Sequence, residues 1–160
     1  MSRNSRLFAC TPADVFAVLE DGWLFPAWVV GASRMREVAD AWPATGSHLH
    51  HSFGVWPVLI DDSTEVLAYD PPRHILLRAK GWPMGEAQVD IQVKPHRDGC
   101  IVRIQEEAVA GPGSLIPRPL LDVALQLRNH ETLHRLAYLA EGRAVRPTDE
   151  TTAEDEGVQE

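Results

Sequence analysis

The sequence predicts an α+β domain in which one antiparallel sheet packs a single face against a long C-terminal helix. Three observations predict it. From Ser33 to Ala110 apolar residues recur with a period of two between closely spaced turn signals. From Pro117–Pro119 to about Glu141 they recur at three and four. The stretch before Ser33 reads as one strand followed by two short helices.

The first strand is placed at Arg3 to Cys10, where Leu7 and Ala9 alternate with Phe8 and Cys10. Thr11-Pro12-Ala13-Asp14 carries the marks of a helix start: Thr11 as N-cap, Pro12 at the first helical position and an acid in the first turn. Val15, Phe16, Val18 and Leu19 supply that helix's apolar side, and Asp21-Gly22 ends it. A second short helix is expected from Trp23 to Val29, closed by Gly31.

Six strands are expected between Ser33 and Ala110, making about seven with the first. The turns fall at Pro43 to Gly46, Gly54 to Pro57, Asp70-Pro71-Pro72, Gly81 to Gly85 and His96 to Gly99. The alternation is clearest in Ile75-Leu77-Ala79, Ala87-Val89-Ile91-Val93 and Val102-Ile104. It slips near Asp61-Asp62, where a bulge or solvated turn is expected. The last helix presents Leu121, Leu125, Thr132 or Leu133, Leu136 and Ala140 as one stripe. Residues 1–143 are expected to form the domain, and Ala144 to Glu160, acidic and without periodicity, a disordered tail.

Composition narrows the function. At 160 residues and 17.8 kDa the chain supports one core and no second domain. No apolar run is long enough to span a membrane, and the N-terminus lacks a signal-peptide core, so a cytoplasmic protein is expected. The net charge of −8 argues against nucleic acid and anionic membranes as partners. Much of it lies in the tail, where Arg146 stands alone against six acids, leaving −3 on residues 1–143. Cys10 and Cys100 are too few for a disulfide scaffold or a cysteine zinc site. Nothing in the sequence sets an oligomeric state.

The element order, a Trp-rich second helix, the Asp70-Pro71-Pro72-Arg73 turn, a glycine-rich loop at Gly111 to Ser114 and the run Arg128-Asn129-His130-Glu131-Thr132-Leu133 together resemble the START-related, birch-pollen-allergen-like superfamily, in particular its polyketide cyclase/dehydrase-like branch. The resemblance covers residues 3–143. It implies a helix-grip: a curved sheet wrapped around the last helix, with a cavity between them that takes lipids, polyketides or other hydrophobic molecules. It supplies no shared catalytic motif and no cofactor. It also implies that the first strand pairs antiparallel with the last, bringing Cys10 near Cys100, within disulfide reach.

A strongly curved sheet cannot press all of its concave face on one helix, so the remaining apolar surface is either filled by side chains or encloses a ligand. The five tryptophans, Trp23, Trp28, Trp42, Trp56 and Trp82, fall in the helical pair or in turns, where loops would rim a cavity mouth, and Trp23, Trp28, Trp56 and Trp82 are taken as its ligand-facing members. Each alone reads as a core or hairpin plug; as a group they favour an aromatic-rimmed pocket. Leu121 and Leu125 would face that pocket from the helix, together with Arg128 or Asn129, the helical phase deciding which.

His130-Glu131-Thr132-Leu133-His134 is a literal HExxH on a predicted helix, the setting of a zinc hydrolase. No third ligand stands out, so two ordinary helix-face histidines are the better reading and no metal is expected. Strand alternation sends His48 and His50 to one face and His51 to the other. Glu106 shares a face with Val102 and Ile104, and either enters the cavity as an acid of raised pKa or reaches water at a strand end. The function expected is binding, as carrier or sensor, of a hydrophobic or aromatic small molecule. The alternative is a polyketide cyclase or dehydratase with Glu106 and a histidine, His51, as acid and base.

Overall fold

The computed structural model describes residues 2–55, 57–81, 85–110 and 118–145. The elements follow the order read from the sequence. Strand β1 (Ser2–Phe8) leads to helix α1 (Pro12–Leu19), a 3-10 turn (Gly22–Leu24) and helix α2 (Phe25–Trp28). Six strands follow: β2 (Ala32–Val38), β3 (His48–Val55), β4 (Val58–Asp70), β5 (His74–Gly81), β6 (Gly85–His96) and β7 (Gly99–Ala110). Helix α3 (Arg118–Ala144) closes the chain's described part, three residues longer than the expected end at Glu141. No helix among the described residues is long and apolar enough to cross a membrane.

All seven strands form one curved antiparallel sheet in the order β1-β7-β6-β5-β4-β3-β2. The fold is the helix-grip: α3 lies along β1, with α1 and α2 beside it. The α1 start is as the sequence suggests. Thr11 accepts from the Asp14 N–H and Asp14 accepts from the Thr11 N–H at 2.8 Å, a reciprocal cap that satisfies two donors the helix leaves free.

Local differences have physical causes. The first strand stops at Phe8, because Cys10 already belongs to the turn into the Thr11 cap. The Trp23 to Val29 helix divides in two: Asp21 accepts from the Trp23 N–H at 3.2 Å to start the 3-10 turn, and α2 is a single turn after it. Gly31 ends that segment at φ +101°, and a Cβ there would stand 2.3 Å from the Phe53 ring, so both conformation and space require glycine.

The expected bulge at Asp61-Asp62 is absent. The β3–β4 register runs unbroken from Val55↔Val58 to His48↔Glu65, and the irregularity lies instead in the β4–β5 pairing between Val66 and Ala68. Asp62 and Thr64 occupy inward positions of an intact strand, so polarity broke the apolar pattern without breaking the register. Asp61 is exposed and stands 3.4 Å from Arg36. β1 and β7 pair antiparallel with Phe8 opposite Cys100. Cys10 and Cys100 are buried free thiols, and burial beside Cys100 pushes the Cys10 thiol up to about 12.

Candidate functional site

Two kinds of surface face each other inside the grip. Toward the C-terminal end of α3, Leu133, Leu136, Ala137 and Ala140 are buried with Phe8, Val93, Cys100 and Val102 in the solid core. Toward its N-terminal end the stripe continues as Leu125, Arg128, Asn129 and Thr132, and here sheet and helix stand apart around a cavity of about 260 Å³. Phe25, Trp28 and Val29 wall it from α2 and the turn that follows. Leu77, Ala79, Val89 and Ile104 supply the sheet side.

Three acids, one arginine and a histidine interrupt this apolar lining. Glu106, only 3% exposed on β7, is ion-paired with Arg128, which reaches down from α3. The Nε of Arg128 and Nδ2 of the adjacent Asn129 are buried without hydrogen-bond partners. Across the cavity, His51 on β3 and Asp62 on β4 are directly opposite residues on neighbouring strands, His51 2% and Asp62 7% exposed. The His51 Nε2 lies 3.1 Å from Thr64 Oγ1 and 3.9 Å from Asp62 Oδ2. Trp28 packs edge-on to Phe25, whose ring lies 4.9 Å from the His51 imidazole, so α2 fixes the plane of that ring. Glu86, at the start of β6, is the third acid.

Burial moves both members of the His51–Asp62 pair toward neutrality. The His51 imidazole is lowered to about 4 by desolvation, so it is uncharged at neutral pH. The Asp62 carboxyl is raised to about 6 by desolvation, against the pull of the Ser63 and Lys80 backbone N–H groups. A neutral base and an acid of raised pKa thus face one apolar space. That arrangement can hold a polar ligand atom or move a proton.

Of the residues read from the sequence, the structure brings Trp28, His51, Glu106, Leu125 and Asn129 to one cavity, and Arg128 with them, so both helix candidates face inward. Trp23 does not join them: it is 62% exposed on the 3-10 turn, which points it away from the grip. Trp56 and Trp82 lie outside the described residues, as does the Leu121 side chain. Trp42, the fifth tryptophan, packs on the core and donates to the Leu19 carbonyl at 3.2 Å. In the HExxH string His130 and His134 are exposed and Glu131 accepts from Arg135 at 2.7 Å. No group of three His, Cys, Asp or Glu side chains among the described residues is arranged to hold a metal ion. Asp62, Thr64, Phe25 and Phe53 were not anticipated. Keeping strict alternation through Ile60, Asp62, Thr64 and Val66 would have found the first two.

A curved antiparallel sheet gripping a C-terminal helix around an internal cavity defines a helix-grip protein. Residues 2–141 match the family model described as polyketide cyclase / dehydrase and lipid transport, and the chain belongs to that family. No curated protein matches it. Among solved structures it resembles a protein from Chromobacterium violaceum at 18% identity and TM-score 0.69, covering 87% of this chain and 96% of that one. It also resembles the di-domain ARO/CYC protein of the steffimycin biosynthetic pathway, at 14% identity and TM-score 0.72. That likeness covers 90% of this chain but 51% of the other, so this chain spans about half of the two-domain protein. The structure of Ara h 8.0201 is similar at 12% identity and TM-score 0.65, covering 86% of this chain and 95% of that one. At these identities the likeness is one of fold.

Proposed function

We propose that this protein binds a small, largely apolar molecule between the first half of α3 and the concave face of the sheet, as a carrier or sensor. One observation carries the reading: along a single helix stripe the packing changes from solid core to a cavity of about 260 Å³. An apolar space of that size suits a ligand of one or two fused rings, at the small end of ligand pockets. Family membership and the polyketide-related neighbour support the same class of ligand. The test is mass spectrometry of small molecules released from natively purified protein, with titration of a neutral fluorescent probe, N-phenyl-1-naphthylamine, into the emptied protein. A retained apolar compound or saturable probe binding is expected. Neither, at micromolar protein, would remove the reading.

The second reading is a cyclase or dehydratase, favoured by one feature: an acid and a base of opposed pKa shift facing each other across neighbouring strands. Glu106 is committed to Arg128, so the proton-transfer pair would be Asp62 with His51. Incubating the released compound with fresh protein separates the two readings. A new species, seen as a change of mass or of chromatographic retention, whose formation stops in Asp62→Asn marks an enzyme, and an unchanged compound marks a carrier.

A further inference from the structure

We propose that the cavity reads its ligand through a hydroxyl donated to Asp62, and therefore selects neutral alcohols or phenols over carboxylates of the same shape. The inference rests on the ligand-binding reading and names the class of ligand that the same site takes. It begins with the position of Asp62. A carboxyl at an inward strand position, walled by aromatic and aliphatic side chains, is costly to keep there. Arg36 offsets part of that cost from a distance, but among the described residues no arginine or lysine side chain pairs with the carboxyl. Arg36, the nearby guanidinium, donates instead to the backbone carbonyls of His51 and Asp62, each at 3.4 Å, and stands 3.4 Å from the carboxylate of Asp61. His51 is uncharged.

The carboxyl also has accepting capacity left over. The Ser63 N–H, 2.6 Å from Oδ1, and the Lys80 backbone N–H both donate to it, and Oδ2 lies 3.9 Å from His51 Nε2, beyond hydrogen-bond length. A carboxylate has about four acceptor directions, so a ligand O–H entering the cavity would find one open. The hydrogen bond it made would be charge-assisted and shielded from water, the combination in which a hydroxyl discriminates most strongly.

The charges of the lining oppose the alternative. Among the described residues around the cavity the acids are Asp62, Glu86 and Glu106, and the cation is Arg128, already held by Glu106. A fatty acid or aromatic carboxylate would bring another negative charge into a lining where three acids stand against one arginine, which is itself paired with Glu106 and has only its Nε unpartnered. A neutral ligand brings none. The unpartnered Nδ2 of Asn129 adds a donor for a second ligand oxygen on the helix side.

Three naphthalenes substituted at the same position test this at neutral pH, by calorimetry on the wild-type protein: 2-naphthol, 2-methoxynaphthalene and 2-naphthoate. The expected result is that 2-naphthol binds about tenfold or more tighter than the other two. Asp62→Leu, which keeps the branched shape with added bulk and removes the acceptor, should bind the naphthol and its methyl ether equally. Asp62→Asn serves if the leucine variant does not fold, and should narrow the preference severalfold. Equal or tighter binding of 2-naphthoate by the wild type, or a hydroxyl preference that survives removal of the Asp62 carboxylate, would overturn the hydroxyl site and leave a ligand cavity standing. Failure of all three compounds to bind would overturn the cavity reading and this inference together.

Discussion

The two halves of α3 carry the same apolar spacing but meet different partners. Leu136, 0% exposed, sits at the centre of the C-terminal half among side chains that fill the space against β1, β7 and α1. Polar contacts clamp that end: Glu141 accepts from the Ala9 N–H at 2.8 Å, and Arg143 donates to the Ala17 carbonyl at 2.8 Å and to Asp21 at 3.1 Å. In the N-terminal half, Leu125 is only partly buried, and the stripe turns polar at Arg128, Asn129 and Thr132. Close packing is therefore concentrated in one half and polar cavity-lining groups in the other. Residues that lower stability, the buried Asp62 and His51 above all, are tolerated where the packing is already open.

The largest contrast should come from truncation. Leu136→Ala removes a fully buried side chain from close-packed surroundings and should cost about 2–5 kcal/mol in denaturant unfolding. Leu125→Ala enlarges a space that already exists and should cost less than about 1 kcal/mol. Equal losses would show that the N-terminal half is as solid as the other.

The next effect is electrostatic and separates Asp62 from His51. An Asp62 carboxyl at about 6, against an ordinary 3.8, makes the native state bind more protons than the unfolded chain between those values, so its share of stability falls as pH rises through that window. His51, at about 4 against 6.5, does the reverse, and its share rises with pH over nearly the same window. Each share is about 3 kcal/mol, so together they nearly cancel. Asp62→Asn should uncover the rising slope and His51→Gln the falling one, measured as unfolding free energy from pH 4 to pH 7 relative to wild type. Asp62→Asn should also be the more stable protein at the upper end of that range. Parallel curves for wild type and both variants would remove the account of the pair.

The smallest effect lies at the junction of the halves. Thr132 accepts from the Val30 N–H at 3.4 Å and ties the α2–β2 turn to the helix. Thr132→Val should cost about 1 kcal/mol and weaken probe binding more than that loss of stability explains, because the same turn carries Val29 of the cavity wall.

Periodicity made the elements legible. The strand alternation, the Thr11 cap and the three-and-four spacing of α3 all reflect local backbone geometry, and β1 beside β7 followed from the resemblance they support. The site was half legible. Leu125 sits at an inward position that helical phase predicts, Glu106 takes one of the two places alternation left open, Asn129 is one of the pair between which phase did not choose, and Trp28 was marked by its place beside a loop. Asp62 was misread because an acid amid apolar alternation looks like an interruption of the strand, although the pairing with β3 passes through it unchanged. Trp23 was misread in the opposite sense, as an aromatic near the expected mouth that a 3-10 turn carries outward. Whether a stripe meets core or cavity depends on the curvature of the opposite sheet, which no local pattern in α3 records.

Filling the space tests the difference between the halves most directly. Leu125→Trp and Leu136→Trp add the same bulk to one stripe of one helix, and each is compared with wild type by thermal unfolding and by fluorescence enhancement of N-phenyl-1-naphthylamine. The cavity accommodates the first indole, so Leu125→Trp should stay close to wild type in stability and lose the probe signal. The solid half cannot, so Leu136→Trp should lose roughly 1–3 kcal/mol. A wild-type protein that takes up no probe, with Leu125→Trp as damaged as Leu136→Trp, would contradict the account: the concave face would be filled along its length, and ligand binding would fall while the fold remained.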